Sequence, residues 1–218
     1  MKTNLENGRT LLTALKLAAG PFGSELNIPV GCPVRALLRP VATTPENVVF
    51  GDIVAMSEWR NRFVTHFLTE FLATPERTKS WLTDVVGPNG SKILFMVDLP
   101  DGTTTGHVGI DFINWETGYA EADAIVRGGE APKGVMREAL LTAISWAKNQ
   151  LGIKAVGVRV RSNNPALGFY HKIGFTEIAR YPLRRIDEPD LVRWVEDIHF
   201  KEEEAEHFLV HMMFDSQN

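Results

Sequence analysis

Cysteine is nearly absent: Cys32 is the single one in 218 residues. One thiol excludes an intramolecular disulfide and a cysteine-cluster metal site, and it fits a reducing compartment. A long apolar run is also missing. The stretch Leu11 to Ala19 is interrupted by Lys16. It is too short to span a bilayer and no cleavage pattern accompanies it, so the expectation is a soluble, cytoplasmic protein. Positive charge is not in excess, with a formal net charge of -4, which argues against nucleic acid as the main partner. Metal-ligand spacing is lacking among the histidines. His207 and His211 fall on a strand-like segment, where i and i+2 share a face, so they are expected to decorate a sheet edge, and no metal is expected. Internal repeats and low-complexity tracts are absent too.

What remains is ordinary globular composition, 44% hydrophobic and 23% charged, in a chain long enough for one large domain or two small ones. Residues 1–34 read as an appendage: a short helix through Leu11, Leu12, Leu15 and Leu17, ended by Gly20-Pro21, then a turn-rich linker from Gly23 to Pro33. Residues 35–218 read as the main domain. Strands are expected at Arg35–Val41, Ile93–Val97, His107–Ile113, Tyr119–Val126, Ile153–Val160, Glu177–Leu183 and Phe208–Phe214. Helical spacing connects Ile53, Met56, Trp59 and Phe63, and Thr74-Pro75-Glu76 opens a second helix through Trp81. The strongest helix runs from Val135 to Asn149. The segment Arg184–Glu206 between the last two strands is long and charged, with Glu202-Glu203-Glu204 a solvated turn.

Two junctions carry chemistry. The loop Arg127 to Gly134 leads into the Val135 helix. Unpaired N–H groups and the helix dipole at such a terminus favour a pyrophosphate, and Lys133 and Arg137 add full charges. The second junction is Asn163-Asn164-Pro165-Ala166-Leu167-Gly168-Phe169-Tyr170-His171-Lys172-Ile173-Gly174-Phe175. It reads as the end of a buried strand, a Pro-started short helix and a Gly-Phe stop. Ala166 and Tyr170 share one helix face. Between the junctions, Glu121 and Asp123 alternate on a strand and share a face. They could serve as bases or could sit on a solvated side. Arg60 is read as pairing with an acid or touching a substrate. Trp59, Trp81 and Trp146 are read as core.

The second junction resembles the signature of the GNAT acetyltransferase superfamily, with Asn163, Ala166, Tyr170, Gly174 and Phe175 in register. The element order over residues 35–214 is similar to that fold. The resemblance implies an α/β (α+β) architecture with a mixed, mostly antiparallel central sheet of about seven strands flanked by helices. The segments Glu58–Asn61 and Pro75–Trp81 look like the branch acting on protein N-termini and nucleotide-linked amino sugars. Acetyl-CoA is the implied cosubstrate, with pantetheine between the fourth and fifth strands. Its pyrophosphate would lie on Arg127, Lys133, Gly134, Val135, Met136 and Arg137. Ile125 or Val126 would polarise the thioester carbonyl, and Asn163, Ala166 and Tyr170 would complete the set. Here the chain departs from the family pattern: Pro132 stands at the first glycine and Gly129 at the basic position.

The resemblance also implies roles. Tyr170 would protonate the departing thiolate, since a phenol with pKa about 10 lies above a thiol near 8.5. Packing is its alternative. Val158 stands where some relatives carry a glutamate base, so Glu121 is the candidate, acting directly or through water. With no cysteine near either junction, direct attack is expected. The implied acceptor is a small amine such as a nucleotide-linked amino sugar. A protein N-terminus or a non-catalytic acyl-CoA-binding module are the alternatives, and a homodimer is left open.

Overall fold

The computed structural model describes residues 4–23 and 26–215. Residues 1–3 of the expected appendage and 24–25 of the expected linker lie outside them. In chain order the elements are α1 (Asn4–Ala18), β1 (Ile28–Val30), β2 (Ala36–Pro40), α2 (Phe50–Arg62), β3 (Thr69–Glu70), α3 (Pro75–Ser80), β4 (Ile93–Asp98), β5 (Thr104–Asn114) and β6 (Tyr119–Arg127). Then follow α4 (Val135–Leu151), β7 (Ala155–Arg161), α5 (Ala166–Ile173), β8 (Phe175–Glu188), β9 (Leu191–Glu196) and β10 (His207–Phe214). The chain divides into two compact units, residues 1–59 with 74–156, and residues 60–73 with 157–218.

The first unit builds an antiparallel run in the order β1-β2-β4-β5-β6. Strand β4 is buried along its whole length, Ile93 to Asp98, as its apolar run demands of a central strand. Helix α4 buries Val135, Ala139, Leu140, Ala143, Ile144, Ala147 and Leu151, the i, i+3, i+4 stripe of an amphipathic helix. Helix α1 buries Gly8, Leu12 and Lys16 in a similar stripe and packs on α4. The Lys16 ammonium donates to the Val86 and Asn89 carbonyls. Thr74 caps α3 as its sequence predicts, its hydroxyl accepting from the Arg77 N–H at 3.2 Å, and a π-helical turn continues to Val86. Arg39, in β2, is 2% exposed and is satisfied by Asp52 at 2.8 Å and Asp98 at 2.6 Å. Removing one member of a buried charge set leaves an uncompensated ion and costs about 3–5 kcal/mol.

The second unit orders its strands β7-β10-β8-β9-β3, again antiparallel. The expected count of about seven strands is exceeded: there are ten among the described residues. The three additions are β1, β3 and β9. Two are only three and two residues long, below the length at which alternation can be read. The third, Leu191–Glu196, lies in the long charged segment where no strand is expected. Those charges line a hairpin of β9 with β8 instead, with β3 on its other side and Arg193 bonded to Glu188 at 2.7 Å. A second correction concerns His207 and His211. Strand β10 is interior, paired with both β7 and β8, so neither histidine lies on a sheet edge.

Candidate active site

Strand β6 ends at Arg127, and the chain turns immediately. The Gly128 and Gly129 N–H groups both bond the Thr105 carbonyl at 2.9 Å, so neither donor is available to a ligand. A Cβ built on Gly128 would overlap the Trp59 indole, so glycine there lets the ring lie directly on the backbone. Gly134 caps α4 with φ +92, in the left-handed region that glycine enters without steric cost. The Val135 N–H bonds the Pro132 carbonyl at 3.2 Å. The Met136 and Arg137 N–H groups have no acceptor among the described residues. These are the orphan donors every helix start carries.

Arg127, Lys133 and Arg137 are exposed, and none has an acidic partner among the described residues. Val135 and Met136 are buried at 0% and 9% exposure, so they offer backbone rather than side chain. Arg35 braces the loop, donating to the Lys133 carbonyl at 2.8 Å and to Glu138 at 2.5 Å. Two free amides at the positive end of a 17-residue helix, beside three unpaired cations, fit a pyrophosphate. Pro132 supplies no amide, and the two glycines after Arg127 have spent theirs. The donors therefore lie at the helix end of the loop.

Strand β6 also carries a bulge. Asp123 faces Gly109 and Val126 faces His107, so Ala124 and Ile125 together oppose Val108. Ala124 takes φ +48, an uncommon conformation for a residue with a Cβ. A bulge leaves its extra residue outside the ladder and re-aims the local backbone. This is the stretch, Ile125 and Val126, expected to face the thioester carbonyl. His107 lies beneath it: its Nδ1 is 2.6 Å from the Ala124 carbonyl, and its ring stacks on Trp59 with centroids 6.0 Å apart. Burial away from solvent pushes the imidazole down to about 4, against the opposing pull of the Ala124 carbonyl and Asp123.

The two alternating acids differ. Glu121 is 7% exposed and accepts from the Tyr119 hydroxyl at 3.1 Å, so the solvated-face alternative does not hold for it. Asp123 is matched by the Lys92 ammonium at 2.6 Å, which also holds Asp111 at 2.7 Å. Asp123 is thus already engaged in an ion pair, whereas Glu121 is held by a hydroxyl.

In the second unit the Asn-Pro junction folds much as read, displaced by one residue. Helix α5 begins at Ala166 with Pro165 just before it. The capping amide is Asn164, whose Oδ1 accepts from the Ala166 N–H at 2.9 Å. Asn163 is exposed and donates to the Thr65 carbonyl at 3.4 Å. Tyr170 is 5% exposed, edge-on to Phe169 and Phe175 with centroids 5.6 Å from each. The Arg60 guanidinium lies over Phe67 at 4.5 Å and Phe71 at 4.1 Å and donates to Thr69.

Of the sequence-predicted residues, Glu121, Ile125, Val126, Arg127 and the 133–137 set belong to the first unit, and Asn163, Ala166 and Tyr170 to the second. Sequence reasoning missed His107. Its signal is Gly106-His107-Val108-Gly109, a pair of glycines inside a strand, which marks a bulge or close backbone approach. It also missed Arg161, which bonds Glu70 at 2.6 Å under the Trp194 ring. Among the described residues no group of three or more His, Cys, Asp or Glu is placed to hold a metal. No helix among them is long and apolar enough to cross a membrane.

Residues 35–176 match the family model described as an acetyltransferase (GNAT) domain. Among solved structures, the spermidine N-acetyltransferase of Vibrio cholerae in complex with CoA and spermine is similar, with TM-score 0.62 and 16% identity over 83% of this chain and 95% of that one. The same organism's spermidine/spermine N-acetyltransferase with manganese ions gives TM-score 0.57 and 17% identity over 83% and 92%. A probable GNAT acetyltransferase of Chromobacterium violaceum gives TM-score 0.62 and 15% identity over 90% and 89%. A comparison with curated protein sequences finds no match. With the family model covering well over half of it, and the GNAT fold shared with these structures, this chain belongs to the GNAT acetyltransferase family.

Proposed function

We propose that this protein transfers the acetyl group of acetyl-CoA to a small primary amine by direct attack within a ternary complex. The observation that carries the reading is the start of α4: free Met136 and Arg137 amides with Arg127, Lys133 and Arg137 unpaired beside them. Acetyl-CoA, when bound, supplies an activated acyl thioester. The Ile125 or Val126 N–H, turned by the bulge, stabilises the charge developing on the carbonyl oxygen. Tyr170 gives its proton to the departing thiolate, and its aromatic packing holds the phenol in place. Glu121 takes the proton from the amine, directly or through water. Its buried carboxylate is oriented by the Tyr119 hydroxyl.

For the acceptor, the Vibrio cholerae spermidine acetyltransferases support the small-amine class. Within it, a nucleotide-linked amino sugar follows from the segments Glu58–Asn61 and Pro75–Trp81, with the protein N-terminus as the alternative. Residues 35–218 carry the chemistry in this reading, and residues 1–34 are accessory to it. The test pairs calorimetry of CoA binding with thiol-release assays on spermidine, a nucleotide-linked amino sugar and an N-terminal peptide. CoA binding with turnover of one of the first two amines is expected. Absence of CoA binding would overturn the reading, and binding without turnover would make the protein an acyl-CoA-binding module.

A further inference from the structure

We propose that His107 is a positioning residue for acyl transfer: its Nδ1–H, bonded to the Ala124 carbonyl, fixes the β6 bulge and so aims the amide that follows it. The inference rests on the acyl-transfer reading above. Its geometry lies wholly within the first unit.

A left-handed alanine in a strand is unfavourable, and relaxing it toward ordinary pairing would return Ile125 to the ladder. Something must hold the distortion. The 2.6 Å bond from His107 to the Ala124 carbonyl is the side-chain contact that does so. The imidazole is itself held. It is 6% exposed, stacked on Trp59, and that indole lies against Gly128, just past the end of the same bulged strand. A carbonyl only accepts, so Nδ1 carries the hydrogen and the ring is the Nδ1–H tautomer. Nε2 has no partner among the described residues. The ring is therefore used through one nitrogen. Burial keeps it neutral at working pH, so the anchor does not switch off near neutrality. Asp123 and Lys92 are the charged groups whose fields reach it, with opposite sign.

The experiment compares His107→Leu, which removes the donor, with His107→Asn, whose amide stands where Nδ1–H did. Expected for the leucine variant is a kcat loss of roughly tenfold to a thousandfold, at most the roughly hundred- to thousandfold cost of losing an oxyanion donor outright. KM for acetyl-CoA and calorimetric CoA affinity should change less than about threefold, while asparagine recovers most of kcat. Hydrogen exchange in residues 119–127 should change in the leucine variant and not in the asparagine one. Nitrogen shifts of the wild-type ring should report Nδ1–H and a bare Nε2, a reading that needs no variant to fold. The Nε2–H tautomer, equal damage by both substitutions, or CoA affinity falling in step with kcat would each overturn the proposal. A wild type that acetylates no amine would instead sink the acyl-transfer reading. The tautomer and exchange data would still judge the anchor.

Discussion

Acid should weaken this protein through His107 in a calculable way. The folded imidazole sits near 4, whereas an unfolded histidine titrates near 6.5. Between those values the unfolded chain binds the extra proton, so stability rises with pH there. The stabilising difference is fully present above about pH 6.5 and is lost progressively as pH falls toward 4. At about 1.4 kcal/mol per pH unit, lowering the pH from 7 to 5 should remove about 2 kcal/mol through this group. That corresponds to a melting shift of about 4–8 °C in a chain of this size. His207 is also pushed down, by burial and then by Arg161, so the wild type alone does not isolate His107. The quantity to measure is the difference between wild type and His107→Leu in urea unfolding at pH 7, 6 and 5. That difference should shrink by about 2 kcal/mol across the series. A difference that stays flat would mean His107 is solvated or already protonated in the fold, and the reasoning about its burial would be wrong.

Tyr170→Phe keeps the contacts to Phe169 and Phe175 and loses only the hydroxyl. CoA affinity should change little while kcat falls roughly ten- to ten-thousandfold; unchanged turnover with chemistry limiting would leave Tyr170 a packing residue. Gly134→Asp has room, since its Cβ would come no closer than 3.7 Å to Arg35 Nη1 and 3.8 Å to Glu138 Oε1. Its φ of +92 adds a backbone penalty of about 1–2 kcal/mol. Gly134→Ala shares that penalty without the charge, so calorimetry should show CoA affinity lost mainly in the aspartate variant. Equal affinity in both would remove the loop from phosphate binding. Glu121→Gln retains an acceptor for the Tyr119 hydroxyl and should lose rate most at low pH, where the amine is protonated, with partial recovery as pH rises. Parallel pH–rate profiles would remove Glu121 from the mechanism.

Much of this was legible in the residues. The caps Thr74 and Gly174, the stripe of α4 and the apolar run of β4 are local patterns, and the structure follows them within a residue or two. The start of α4 was legible as an anion site because helix ends carry free amides whatever surrounds them. Which amides stay free was not. Gly128 and Gly129 lose theirs to Thr105, a residue distant in sequence. The bulge at Ala124 was hidden for a similar reason, since an alanine gives no warning of a positive φ imposed by strand register. The burial of Glu121 and the pairing of Asp123 with Lys92 depend on cross-strand neighbours, which alternation alone does not name. Strand β9 was hidden by charges that pair across a ribbon.

The most direct test is a single-turnover reaction with acetyl-labelled acetyl-CoA and excess small amine, followed by mass spectrometry of protein and product together. The account predicts label on the amine nitrogen, one CoA released for each amine acetylated, and a protein mass unchanged throughout. A labelled protein intermediate would contradict direct attack, and bound acetyl-CoA that passes its label to no amine would contradict the activity itself.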